Sequence, residues 1–245
     1  MSDRIPQSSA DFFGYTKKVH LTLIAAPEVV AIPIQENNEP LVDIMDNNEL
    51  VFDEVYNQPH IGSLVRRAVL KKLLAAQRSL PSGLQIQIRE GYRPLEVQKN
   101  YWDEYCAKLE TKYPTWSQEQ IRDEAMRFVA PPDIVPPHTT GGAVDLTLVH
   151  MLGASLYMGK SIYKGKSLDM GTDMNDEEAS LNKASYTANP NISTEARKNR
   201  DLLVKAMTGV GFINYPTEWW HWSYGDRYWA HQTKSAHAIY GTVLR

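Results

Sequence analysis

The chain has 245 residues, enough at roughly 100–200 residues per domain for one large domain with a full hydrophobic core. A hydrophobic fraction of 42% and a charged fraction of 22% exclude a disordered or collagen-like chain, and 26 Lys and Arg against 29 Asp and Glu (net −3) give no global pull toward nucleic acid or anionic membrane. The single cysteine, Cys106, excludes an internal disulfide and every Cys-rich zinc or iron–sulfur site, so any metal must be held by nitrogen and oxygen.

Met1-Ser2-Asp3-Arg4-Ile5-Pro6 leads into no apolar signal region, and the apolar stretch Leu21 to Ile34 is interrupted by Pro27, Glu28 and Pro33. A cytoplasmic protein without membrane contact is expected. No repeat or low-complexity linker divides the chain, so a single domain is expected over residues 1–245, with residues 1–60 as an N-terminal extension packed on it. Residues 28–34 are β-branched and predict a strand with Pro33 near its end or on an edge. Leu64, Ala68, Leu70, Leu74 and Ala75 recur at helical spacing and predict a helix over 62–79, stopped by Pro81-Ser82-Gly83. Leu84 to Arg89 alternates apolar and polar, a half-buried strand. Pro94 opens a helix to about Thr111, and Ser117 to Gln120 has capping-box spacing for a helix to about Val129.

Four prolines, Pro131, Pro132, Pro136 and Pro137, force an irregular segment, and Gly141-Gly142 interrupts the chain again. Ala143 to Leu148 predicts a strand, residues 153–193 long loops, and Thr194 to Thr208 a helix ended by Gly209 and Gly211. Glu218 to Tyr224, dense in Trp, predicts a strand. Helices and strands without strict alternation indicate an α+β fold with a central antiparallel sheet flanked by helices.

Three segments carry unusual residue sets: Glu90-Gly91-Tyr92-Arg93-Pro94, Pro137 to Asp145, and Glu218-Trp219-Trp220-His221-Trp222. Taken singly, Arg93 reads as a surface charge, His138 as a turn residue, Asp145 as a solvated strand residue and the Trp cluster as core. Together they fit chemistry better. Asp145 sits between Val144 and Leu146, where a carboxylate is expensive unless it is paired or ligates a cation. Two histidines and a carboxylate suit catalytic zinc with one position open, and the spare carboxylate Glu218 is then a natural general base. Residues three apart on a regular strand face opposite ways, so Glu218 and His221 can share a site only if a turn or bulge after Pro216-Thr217 precedes the strand. His138 must likewise lie outside the strand of Asp145, which Gly141-Gly142 permits.

Gly91-Tyr92-Arg93-Pro94, His138 to Asp145 followed by Leu146-Thr147-Leu148, Asp169-Met170-Gly171-Thr172 and Glu218-Trp219-Trp220-His221 together resemble, in order, the zinc D-alanyl-D-alanine dipeptidases, the VanX-like members of peptidase family M15. The match runs from about Leu84 to Tyr224. The resemblance implies one zinc ion per chain held by His138, Asp145 and His221. It also implies Glu218 as general base, Arg93 stabilising the transition state, a small dipeptide as substrate, and the α+β fold of the D,D-peptidases, shared with the hedgehog amino-terminal domain. Two positions depart from the pattern. Pro136 stands where the family has a pocket serine, and Asn175 where it has a carboxylate for the substrate ammonium; Asp169, Asp173 and Asp176 are neighbouring replacements.

Rival readings are a D,D-carboxypeptidase or other cell-wall peptidase on the same scaffold, a non-haem iron oxygenase with a two-His-one-carboxylate triad, and a structural zinc or binding site without catalysis. A nucleotide-binding loop is excluded, because neither Gly159-Lys160-Ser161 nor Gly165-Lys166-Ser167 has the required upstream glycine spacing. His20, His60, His150, His231 and His237 read as structural or surface residues, and Cys106 as a helix residue without a catalytic partner.

Overall fold

The computed structural model describes residues 21–53, 62–151, 155–157, 160–162 and 166–244. Its centre is a five-stranded sheet in the order β2 (Val51–Phe52), β4 (Leu84–Glu90), β5 (Ala143–His150), β9 (His221–Ser223), β8 (Ile213–Asn214). Every pairing is antiparallel except that of β2 with β4, so the expected α+β architecture carries one parallel edge. A two-stranded pair, β1 (Leu41–Asp43) with β3 (Leu64–Arg66), and a hairpin of β6 (Ser155–Tyr157) with β7 (Lys160–Ile162) complete the strands seen among the described residues.

The two faces of the sheet have different work. Along β4 and β5, Ile86, Ile88, Val144, Leu146 and Leu148 point to one side, as period-two alternation requires. There they meet Val69 and Leu73 of α2 (Arg67–Ser79) and Leu203 and Met207 of α6 (Thr194–Thr208) in the main core. Burying each such side chain contributes roughly 1.5–3 kcal/mol. The opposite face carries Asp145 and His221, and it is walled by α3 (Leu95–Lys112) and the 126–137 segment. α3 and α4 (Gln118–Ala125) share a smaller core of Trp102, Leu109, Ile121 and Ala125.

Several expectations are met in detail. Ser117 and Gln120 form the capping box of α4. Leu80 takes an extended conformation before Pro81 and ends α2. Helix α6 runs from Thr194 to Thr208 as the sequence predicts, with the Ser193 hydroxyl accepting from Ala196 N.

Others are corrected. Residues 28–34 are not a strand. Pro27–Val30 forms a short helix, α1, and only Ile34 makes an isolated bridge, to Ala238. Pro27 fixes φ at the helix start, Glu28 suits the first turn, and Val29 packs with Ile24, Tyr215 and Tyr228. The helix expected from residue 62 starts at Arg67, because Leu64–Arg66 is claimed by pairing with β1. α4 ends at Ala125, and the 153–193 region contains β6, β7 and α5 (Glu177–Leu181). His20, His60, Gly153, Gly159 and Gly165 lie outside the described residues. His150 is exposed, His231 and His237 are half-buried, and Cys106 lies in α3.

Candidate active site

His138 is held by the chain on both sides of it. Pro136 and Pro137 fix the entry to a 3-10 turn, Pro137–Thr140, and the Thr139 and Thr140 hydroxyls close it by donating to the Pro136 and Pro137 carbonyls. The turn ends at Gly141, whose φ of 69° lies in the left-handed region. A Cβ there would stand 2.4 Å from Leu41 Cδ2. The reversal lifts His138 out of the line of β5, as the seven-residue spacing demands. The Gly91–Arg93 segment then locks the ring and backbone together: His138 Nδ1 lies 2.8 Å from the Gly91 carbonyl, and Arg93 N–H donates to the His138 carbonyl at 3.1 Å. With Nδ1–H committed to Gly91, the Nε2 lone pair faces inward.

Asp145 and His221 are directly paired across β5 and β9. Glu218 reaches the same place because β9 begins only at His221, after a turn in which Glu218 N–H donates to the Tyr215 carbonyl and His221 N–H to the Glu218 carbonyl. The Asn214 side chain pins that turn by donating to the carbonyls of both Glu218 and His221 at 3.0 Å. The parity conflict in the sequence is resolved by this turn.

The result is a triangle of ligand-type atoms: His138 Nε2 to His221 Nδ1 at 3.2 Å, His221 Nδ1 to Asp145 Oδ1 at 3.0 Å, and His138 Nε2 to Asp145 Oδ1 at 3.3 Å. All three residues are buried, and among the described residues they form the one group of His, Cys, Asp or Glu side chains set to hold a metal ion. The electrostatics agree. Burial pushes the Asp145 carboxyl up, but His138 and His221 outweigh it and hold it well below the usual carboxylate range. Burial presses His138 toward neutrality, and the Asp145 charge reverses that into a net upward shift. Glu218 goes the other way: burial, then the Asp145 charge, raise it well above its ordinary value, against the pull of Arg93.

Arg93 lies beside these groups with its side chain 13% exposed. Its Nε and Nη2 grip Glu90 at 2.7 and 2.5 Å, its Nη1 donates to Gln98 at 2.7 Å, and its guanidinium lies 4.8 Å from the centre of the Tyr101 ring. Gln98 is itself fixed by donating to the Ala130 carbonyl. Glu90 faces Asp145 because β4 is bulged between Ile88 and Glu90, a device that re-aims a side chain at the end of a strand. The Glu90 and Gln98 roles escape a reading of the sequence; the three-residue spacing of Glu90 and Arg93 is the one signal, and it depends on the bulge.

Glu218, Arg93, His138, Asp145 and His221 all line one cleft of about 390 Å³, within the size range of small-ligand sites. Asn175 and Ser180 line it as well. The carboxylates near Asn175 do not. Asp169 accepts from Gly171 N–H and the Ser193 hydroxyl, Asp176 caps α5, and Asp173 is exposed.

A family profile described as D-Ala-D-Ala dipeptidase, Peptidase_M15, matches residues 51–239. The chain belongs to the M15 D-Ala-D-Ala dipeptidase family. As a member of it the protein is a metallopeptidase. A D-alanyl-D-alanine dipeptidase of Synechocystis is 30% identical over 250 residues, covering 87% of this chain and 96% of the relative. Another from Escherichia coli is 29% identical over 154 residues, covering 63% and 61%. Among solved structures, the LD-carboxypeptidase LdcB aligns with a TM-score of 0.43 at 19% identity, covering 82% of this chain and 74% of that one. The vancomycin resistance D,D-pentapeptidase VanY, solved with Zn(II), aligns with a TM-score of 0.39 at 17% identity, covering 78% and 95%.

Proposed function

We propose that this M15 peptidase is a zinc-dependent D-Ala-D-Ala dipeptidase acting on the free dipeptide, with His138, Asp145 and His221 as zinc ligands, Glu218 as general base and Arg93 as transition-state stabiliser. The observation that carries the reading is the placement of one buried carboxyl of raised proton affinity, Glu218, in the same cleft as two histidine nitrogens and a carboxylate oxygen that converge on a point. The donor set fits zinc. Zn–N and Zn–O bonds of about 2.0–2.1 Å in a tetrahedron put neighbouring ligand atoms about 3.3 Å apart, and the three separations here are 3.0, 3.2 and 3.3 Å.

When bound, zinc supplies Lewis-acid polarisation of the scissile carbonyl and acidifies water. The protein's own groups do the rest. The Glu218 carboxylate accepts a proton from the attacking water and returns it to the leaving amine. Its raised proton affinity suits both transfers, because a carboxyl of ordinary acidity is a poor base at neutral pH. Three of the five Arg93 N–H donors are engaged by Glu90 and Gln98, which leaves two for the developing oxyanion. The guanidinium remains charged throughout, since burial is outweighed by Glu90. Preorganised in this way, it does not have to reorient as charge develops.

The test is metal analysis combined with turnover of D-Ala-D-Ala, L-Ala-L-Ala and a pentapeptide ending in D-Ala-D-Ala. One zinc per chain and selective cleavage of the D,D-dipeptide are expected. Glu218→Gln should retain zinc and lose about 10²–10⁴-fold in kcat. Near-normal turnover by that variant removes Glu218 from the mechanism, and preference for the pentapeptide replaces the dipeptidase reading with a D,D-carboxypeptidase.

A further inference from the structure

The two histidines of the site present opposite nitrogens to it. His138 turns Nε2 inward and His221 turns Nδ1 inward. A neutral imidazole that offers one nitrogen as a lone pair carries its proton on the other, and that N–H needs an acceptor. For His138 the acceptor is the Gly91 carbonyl. For His221 the group facing Nε2 is the Ser223 hydroxyl, at 3.5 Å. Ser223 lies two residues along β9, so the pleat puts both side chains on the same face.

A hydroxyl that accepts from His221 must send its own proton elsewhere. Asp226 is the group beside it. The Asp226 carboxyl is buried at 1% exposure; burial pushes its pKa up, while the Trp229 N–H and then the Ser223 hydroxyl favour its charged form. Asp226 Oδ1 accepts from Trp229 N–H and caps α7 (Arg227–Thr233), while Oδ2 is buried without a geometrically formed hydrogen bond. A buried carboxylate oxygen left over after capping is expensive to keep, and a one-sided cap would be met equally well by Ser or Thr.

We propose that Ser223 and Asp226 are positioning residues for His221: the Ser223 hydroxyl accepts from His221 Nε2–H and donates to the Asp226 carboxylate, and the Nδ1 lone pair is thereby fixed on the metal side. This rests on the zinc reading above. It makes the two histidines unequal. One is oriented by a backbone carbonyl that no substitution removes, the other by two side chains.

The experiment is zinc affinity measured by chelator competition for the full chain, together with melting of the metal-free protein. Ser223→Ala and Asp226→Asn are the variants; Asn keeps the size and the capping oxygen of Asp226 but places a donor against Ser223. Each should bind zinc about 10–100-fold more weakly, with metal-free melting close to wild type. The double variant should be no weaker than the worse single one, since both act on one hydrogen-bond chain. Either single variant binding zinc within about twofold of wild type, or losses that multiply in the double variant, overturns the proposal. Should Asp226→Asn fail to fold, Ser223→Ala alone decides it. Wild-type protein that binds no zinc would sink the metal reading instead, and His138→Ala serves as the control that loses the ion by a route independent of Ser223.

Discussion

Glu218 is a group whose charge the folded protein resists. Its ordinary pKa is 4.5, and burial followed by the Asp145 charge raises it well above that. Below 4.5 the carboxyl is neutral in folded and unfolded chains alike and contributes nothing to stability. Above the raised value it is ionised in both, and burying that charge destabilises the fold; the penalty sets in as pH rises through the interval. Metal-free Glu218→Gln should therefore melt above wild type at alkaline pH, by about 2–4 °C for each kcal/mol relieved. The gap should close as pH falls toward 4.5. Equal melting at every pH would show that the carboxylate is not held against its will. Part of the candidate site was legible in the chain, where a charge falls among apolar residues: Asp145 between Val144 and Leu146, Glu218 and His221 around two tryptophans. Their convergence was not, since it depends on where β9 starts and on the pairing of Asp145 with His221.

Elements were legible in proportion to how local their causes are. α6 has its cap, its period and its terminating glycines within the span it occupies, and its limits follow from the sequence. Residues 28–34 have no such closure. Their apolar run is compatible with strand or helix, and the outcome was decided by Tyr215 and Tyr228 from the far end of the chain. The β4 bulge is equally non-local, and it is what turns Glu90 toward Asp145. Just beyond it, Gly91 passes so close to β3 that a Cβ would lie 2.5 Å from the Leu64 carbonyl oxygen and 2.8 Å from Val65 Cγ1. Gly91→Ala should cost about 1–3 kcal/mol through overpacking and weaken metal binding too, because the Gly91 carbonyl orients His138. Gly83→Ala is the comparison: its φ is +88° but a Cβ meets nothing within 4 Å, so thermal melting should fall with metal binding untouched. Unchanged metal affinity in Gly91→Ala would dissociate the bulge region from the site.

At the scale of the molecule, Arg66 joins parts of the chain that are remote in sequence. Its guanidinium donates to the Thr140, Glu39 and Gly241 carbonyls, grips Glu36 through both Nη atoms and lies 4.9 Å from the centre of the Tyr240 ring. Because Thr140 closes the turn that carries His138, this buried fork supports the site from behind. Arg66→Met should destabilise the protein toward the lower end of the roughly 3–5 kcal/mol seen for broken buried pairs, since Glu36 is 30% exposed. Denaturant unfolding that moves by less than about 1 kcal/mol would show that the carbonyl contacts are dispensable.

The pairing of Asp145 with His221 spans 76 positions, and that of His138 with His221 spans 83. At about 5–20 residues per second, synthesis places His221 at the ribosome roughly 4–15 s after Asp145. Through that interval the proposed ligands His138 and Asp145 exist without the third. On the zinc reading proposed above, the ligand set is therefore completed only by β9, the last strand of the central sheet to be made.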